Sequence, residues 1–295
     1  MSDRVRVGSG RGGGEKLHLA ISTCPNDTFA FASLLEGRVD TGGFEFEIDL
    51  LDIDQLNHGL LEGKFDVAKT SFHAALTMTE EVVVLPVGSA LGFGVGPLLL
   101  AADPGESPRP SASGGDGQLT LCPGELTTAK LLFDLFYPGT TPVEHVVFSD
   151  IMPRLSEGTA DFGVCIHEGR FTYEQAGLHR VADLGERWES STDCPLPLGG
   201  LVMRVRHEEA TMRRVSEVIS RSLAMSLDAP ETALPAMRRY AQAMDDSVLM
   251  QHVDLYVNDW TADLGEVGRD ALQKLSEMAG QSEKSTEQSS RLRVL

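Results

Sequence analysis

Two stretches far apart in the chain follow one plan, and that repeat restricts the fold more than any other feature. Leu61-Glu62-Gly63-Lys64-Phe65-Asp66-Val67 leads to Lys69-Thr70-Ser71. Leu155-Ser156-Glu157-Gly158-Thr159-Ala160-Asp161-Phe162-Gly163-Val164 leads to His167-Glu168. Each reads as a helix end, a Glu-Gly stop, an Asp-bearing strand, and polar groups at the strand's carboxyl end. In open α/β sheets ligands bind at that edge. Two similar α/β lobes with a ligand cleft between them produce such a pattern. Chance recurrence of a common helix–glycine–strand unit is the other reading.

The second stretch carries the sharper chemical signal. Phe162, Val164 and Ile166 alternate with smaller residues, then the apolar run stops at His167-Glu168. An imidazole ionises nearest neutrality, so His167 suits general acid–base work, although a lone histidine ending a strand is often only structural. Other polar groups gather at similar places. Asn26 and Asp27 follow the strand Leu17–Ser22 and either cap the helix through Phe29 or set polar groups over the sheet edge. Thr127-Thr128 open a helix with an apolar face of Leu131, Leu132, Leu135 and Phe136. Free N–H groups and hydroxyls there offer an anion seat, with plain N-capping the alternative.

Charge and composition exclude several partners. The 295 residues carry a formal net charge of -19, so no basic stripe exists to bind nucleic acid. The same charge disfavours an anionic membrane surface, and a site for an anionic ligand must be locally positive or rich in N–H groups. Cys24, Cys122, Cys165 and Cys194 fit neither zinc spacing nor a disulfide framework, so four reduced thiols and no metal are expected. The glycine-rich start lacks an apolar signal region, and no apolar run approaches membrane-spanning length, which points to a cytoplasmic protein.

Further strands are expected at Phe44–Leu50, Glu81–Val87, Leu98–Ala102, Leu119–Cys122 and Pro142–Phe148. The segment from Gly88 to Pro97 is rich in glycine without the spacing of a phosphate loop, and reads as close backbone packing or a bend. Residues 103–118 are low in complexity and read as an exposed insertion. The segment Cys194–Met203, with its prolines before the strand core, reads as a return strand into the first lobe, and the remainder is helical.

Together the motifs resemble one family. Ser22-Thr23-Cys24-Pro25-Asn26-Asp27-Thr28-Phe29, Lys69-Thr70-Ser71, Gly92-Phe93-Gly94-Val95-Gly96-Pro97, Thr127-Thr128, Ile166-His167-Glu168-Gly169-Arg170-Phe171-Thr172-Tyr173, Leu196-Pro197-Leu198-Gly199 and Tyr256-Val257-Asn258 occur in that order. From Leu17 to about Met278 the chain resembles the 1,4-dihydroxy-6-naphthoate synthases, which act on cyclic dehypoxanthine futalosine in the futalosine route to menaquinone. The resemblance implies a two-lobed, type II periplasmic-binding-protein-like α/β fold. It implies a discontinuous larger lobe (16–102 plus 197–295) and a smaller lobe (119–196) flanking the insertion 103–118, while composition reads 1–15 and 280–295 as disordered tails. It also implies a carbon–carbon lyase with no cofactor, a small-molecule substrate, dihydroxyacetone as co-product, and a monomer or homodimer.

Residue by residue, the resemblance puts the catalytic base on His167, with Glu168 able to orient it. Substrate-binding positions fall on Asn26, Asp27, Lys69, Thr70, Ser71, Thr127 and Thr128. Thr70 and Ser71 are expected to bond substrate oxygens, and Lys69 to offset a substrate carboxylate. His73 departs from the family pattern after Ser71. A non-catalytic binding protein of the same fold and the related chorismate dehydratase are the competing readings. A ligand-sensing regulatory domain lacks a DNA-binding segment, and a hydrolase using Ser71 with His167 lacks a nucleophile elbow.

Overall fold

The computed structural model describes residues 3–8, 14–110, 117–167, 169–240, 245–282 and 291–295. Twelve strands are used below. They are β1 (Asp3–Val7), β2 (Glu15–Ser22), β3 (Phe44–Leu51), β4 (Val67–Ser71), β5 (Val82–Val84) and β6 (Ala90–Gly92), then β7 (Leu98–Ala101), β8 (Thr120–Cys122), β9 (Val143–His145), β10 (Phe162–Cys165), β11 (His179–Asp183) and β12 (Leu196–Arg204).

Among the described residues the strands form two sheets with the same internal order. The first runs β3-β2-β4-β12-β5, with β1 outside β3 and β6 on β12. The second runs β9-β8-β10-β7-β11. In the first sheet β2 is parallel to both β3 and β4, and Leu19 lies between Ile48 and Val67. In the second, β8 is parallel to β9 and β10. In each sheet a strand from beyond the lobe runs the other way, β12 against β4 and β7 against β10, and the edge strand β1 also runs against β3. The two repeated stretches therefore supply equivalent strands, β4 and β10, each beside the crossing strand of its sheet. That equivalence disposes of chance recurrence.

Both sheets are covered on two faces, as parallel strands require. Alternating apolar residues of β2 bury Leu17, Leu19 and Ile21 on one side and Ala20 on the other. One core joins the two sheets, from Ala68, Phe72 and Val84 through to Leu99, Phe162 and Val164. Separate clusters cover the outer faces, around Phe46 and Ile219 in one and Leu121 and Ile151 in the other. The glycine-rich crossing is a close backbone contact. A Cβ on Gly96 would meet the Gly185 Cα at 2.2 Å, so only glycine fits.

The structure corrects several expectations. Leu98–Ala101 pairs with β10 and β11, so the boundary at 102 falls one strand too late. An all-apolar run does not reveal which sheet will bury it. The tail 1–15 includes a strand, because Val5 and Val7 pack on the core while Arg4 meets the Asp49 carboxylate at 2.6 Å. The segment 280–295 is likewise partly ordered. Its helix runs to Ser282, and Val294 bridges Val84. Residues 1, 2, 9–13 and 283–290, the insertion's centre at 111–116, and Glu168 lie outside the described residues. Lys69, Thr70 and Ser71 do not follow a strand but complete it, pairing with Leu201, Gly200 and Gly199. Among the described residues no helix is long and apolar enough to cross a membrane.

Candidate active site

The carboxyl ends of β2, β4 and β10 meet the start of the helix Thr128–Phe136 around a cleft. Asn26, Asp27, Lys69, Ser71, Thr127, Thr128 and His167 all line it. These come from both halves of the chain, and their convergence is the two-lobed fold at work. Thr70 does not line it. It is fully buried, and its hydroxyl donates to the Asn57 Oδ1 at 2.9 Å. In a strand successive side chains point to opposite faces, so Thr70 and Ser71 cannot both face the cleft.

The first sheet's wall is a closed polar network. Lys69 Nζ donates to Asp27 Oδ1 at 2.7 Å and to the Gly88 carbonyl at 2.8 Å. Asp27 also accepts from Asn26 Nδ2 at 3.0 Å and from the Ser22 N–H at 3.3 Å. Asn26 Oδ1 in turn faces His252 Nε2 at 3.1 Å. The ammonium expected to offset a substrate carboxylate is thus already neutralised by Asp27. Asn57 holds the next polar group. Its Oδ1 accepts from the Ser71 N–H at 2.9 Å, and its Nδ2 donates to Ser71 Oγ at 3.2 Å. Ser71 keeps its own hydroxyl hydrogen to donate.

The start of the helix Thr128–Phe136 adds backbone N–H donors to the site. Thr127 caps it, accepting from the Lys130 N–H at 3.2 Å while donating to the Gly124 carbonyl at 2.9 Å. Thr128 and Ala129 line the cleft, and their N–H groups have no intrahelical acceptor. The helix dipole adds positive potential there without a formal charge. The Thr128 hydroxyl reaches the other sheet, donating to the Leu198 carbonyl at 2.6 Å.

His167 stands opposite, just beyond β10. It has φ 57°, a left-handed conformation uncommon outside glycine. Such outliers collect at functional sites because surrounding contacts hold them. Burial and, secondarily, the Lys69 ammonium push its imidazole down from 6.5 to about 4. His167 is therefore neutral at physiological pH, with a lone pair available as a base. Phe148 meets the ring edge-on at 4.7 Å, and His252 stacks at 6.2 Å between centroids. Burial, then the neighbouring His167, also hold His252 well below its ordinary range.

The arginine of the His167 motif anchors the loop. Arg170 donates to the Gly96 carbonyl at 2.6 Å and to Asp183 Oδ2 at 2.7 Å. Three further cleft residues escaped the sequence reading: Cys24, His252 and, behind the wall, Asn57. Asn57 and His252 were findable as polar residues on apolar helix faces, beside Leu56 and Leu60 or Leu249 and Val253. Cys24 gives no such signal, since its importance lies in a contact with His167, 143 positions away.

The comparisons with known proteins agree with this geometry. A family described as menaquinone biosynthesis matches residues 17–281. A protein of Streptomyces coelicolor named 1,4-dihydroxy-6-naphthoate synthase is 39% identical over 266 residues, covering 88% of this chain and 92% of its own. A protein of Thermus thermophilus with the same name is 41% identical over 261 residues, covering 88% and 93%. Among solved structures, a protein of Archaeoglobus fulgidus superposes with TM-score 0.83 at 30% identity, covering 92% of this chain and 98% of its own. An alkanesulfonate-binding protein of Xanthomonas axonopodis pv. citri, bound to MOPS, superposes with TM-score 0.67 at 10% identity, covering 95% and 97%. The latter likeness establishes the periplasmic-binding-protein-like fold alone.

Proposed function

The chain belongs to the menaquinone-biosynthesis family, and from that premise we propose how its cleft carries out the reaction. The enzyme is a lyase that forms 1,4-dihydroxy-6-naphthoate. In our reading the substrate is cyclic dehypoxanthine futalosine, dihydroxyacetone is the second product, and the reaction runs in the cytoplasm.

One observation carries the mechanism: a neutral imidazole, His167, shares the cleft with Ser71 of the other lobe and with the helix start of its own. His167 takes a proton from a hydroxyl or carbon of the substrate. The carbon–carbon bond to the sugar-derived fragment then breaks, and the gain of naphthalene aromaticity drives the step. Ser71 donates to a substrate oxygen. The N–H groups of Thr128 and Ala129 receive an anionic or oxygen-rich group, the substrate carboxylate being the natural candidate. Lys69 acts on the base through its field and holds Asp27 in place, rather than pairing directly with substrate. Apposition of the lobes excludes water around the base.

The test is incubation of purified protein with cyclic dehypoxanthine futalosine, with product followed by absorbance and mass. Wild type is expected to form product, and His167→Asn to lose at least 10²-fold in kcat, the usual contribution of a general base. A folded His167→Asn variant turning over at the wild-type rate removes the base assignment. Tight substrate binding without product from wild type would favour a binding protein on the same fold.

A further inference from the structure

His167 needs holding, and its backbone does not hold it. The residue occupies a left-handed turn at φ 57°. Phe148 and His252 cover the ring and limit its tilt, but aromatic contacts do not select which nitrogen carries the proton. Among the described residues, the polar contacts of the ring are with one atom. Cys24 Sγ lies 3.3 Å from Nδ1 and 3.4 Å from Nε2.

The thiol is itself fixed. Cys24 N–H donates to Ser22 Oγ at 3.0 Å, and Ser22 Oγ donates to Cys24 Sγ at 2.7 Å. The sulfur thus accepts from Ser22 while it faces the ring. Cys24 also begins the helix Pro25–Ala30, where Pro25 locks the following backbone angle. The residue is 8% exposed and lines the cleft beside His167.

We propose that Cys24 is the positioning residue of His167, its thiol holding the imidazole in register with the opposite wall. This rests on His167 being the base. A carboxylate in that place would hold the ring more tightly but would raise its basicity and favour the charged form. A thiol is a weak donor and a weak acceptor. It orients the ring and leaves it neutral, and it yields when substrate claims a nitrogen. Cys24 lies on the first sheet's side and His167 on the second's, so the contact exists only while the two lobes face each other. The base is therefore oriented by lobe apposition, and lobe opening releases it.

The experiment compares wild type with Cys24→Ala and Cys24→Ser in kcat, KM, thermal unfolding and the pH profile of kcat. Cys24→Ala is expected to lower kcat about tenfold or more with KM little changed, as loss of orientation does. Its acid limb should move up towards the ordinary histidine value, because water enters beside the ring. Cys24→Ser keeps a donor and acceptor on a shorter bond and is expected to recover most of kcat. A merely structural cysteine would lower the unfolding temperature in both variants and leave the acid limb in place; that result overturns the proposal. So does an unchanged kcat in Cys24→Ala. If His167→Asn keeps full activity, the base assignment itself has failed, whatever Cys24 does.

Discussion

At the end of β4, Lys69 and Ser71 sit inside a network that meets their needs before any ligand arrives. Lys69 has Asp27 and the Gly88 carbonyl, and Ser71 has Asn57. At the equivalent end of β10, His167 sits on a left-handed turn and is held from across the cleft. The same strand position in two related lobes has thus become a rigid wall in one and an adjustable arm in the other. The difference has a physical basis. Donors that receive a forming charge work best when they need not reorganise. A base must exchange partners during the reaction, so a weakly bound imidazole serves better than a locked one. The contrast predicts that stability resides in the first wall and turnover in the second.

Lys69→Met should show the largest effect on folding. It leaves Asp27 buried without its cation, which typically costs about 3–5 kcal/mol. Chemical denaturation measures it, with His167→Asn as the comparison. His167→Asn removes a strained, weakly paired side chain and should cost far less. Equal losses in the two variants would erase the distinction between the walls.

Acid should act mainly through the second wall and its neighbour. The folded value for His167 lies near 4, below its ordinary 6.5, and His252 shifts the same way. The unfolded chain therefore binds protons first as pH falls. Stability is fully present above about pH 6.5 and is lost as pH drops towards 4. Between pH 6 and 5 His167 should contribute about 1 kcal/mol per pH unit. Denaturation curves of wild type and His167→Asn across that interval test this. A variant with the wild-type slope would mean that His167 is not held neutral by burial.

How legible this was in the sequence follows from the range of the interactions. The doubled lobe could be read because strand alternation and the Glu-Gly stops are local. His167 could be read because a polar residue ends an apolar strand. Thr70 was misassigned because a polar run at a strand's end does not reveal which residues complete the strand, and that parity decides which side chain faces the cleft. β7 was given to the wrong sheet because an apolar run records burial and not partnership. The Cys24–His167 contact was invisible because it spans the cleft. Asn57 was within reach, as a fully buried amide on an apolar helix face implies partners for all its polar atoms.

The smallest effect separates two neighbouring threonines on which the sequence permits either role. The Thr127 hydroxyl is spent inside its own lobe, between the Lys130 N–H and the Gly124 carbonyl. The Thr128 hydroxyl crosses to Leu198 in the return strand β12. Thr127→Ala should therefore cost the ordinary price of a lost N-cap, about 1 kcal/mol, with KM unchanged. Thr128→Val keeps the side-chain shape and breaks a bond between the lobes. It should raise KM severalfold while changing stability less than Thr127→Ala does. Denaturation and steady-state kinetics on the two variants decide it. If Thr127→Ala raised KM as much, the helix start would be acting as one substrate seat. The Thr127 cap would then be more than structural, because a cap that only holds its helix should not be felt by the substrate.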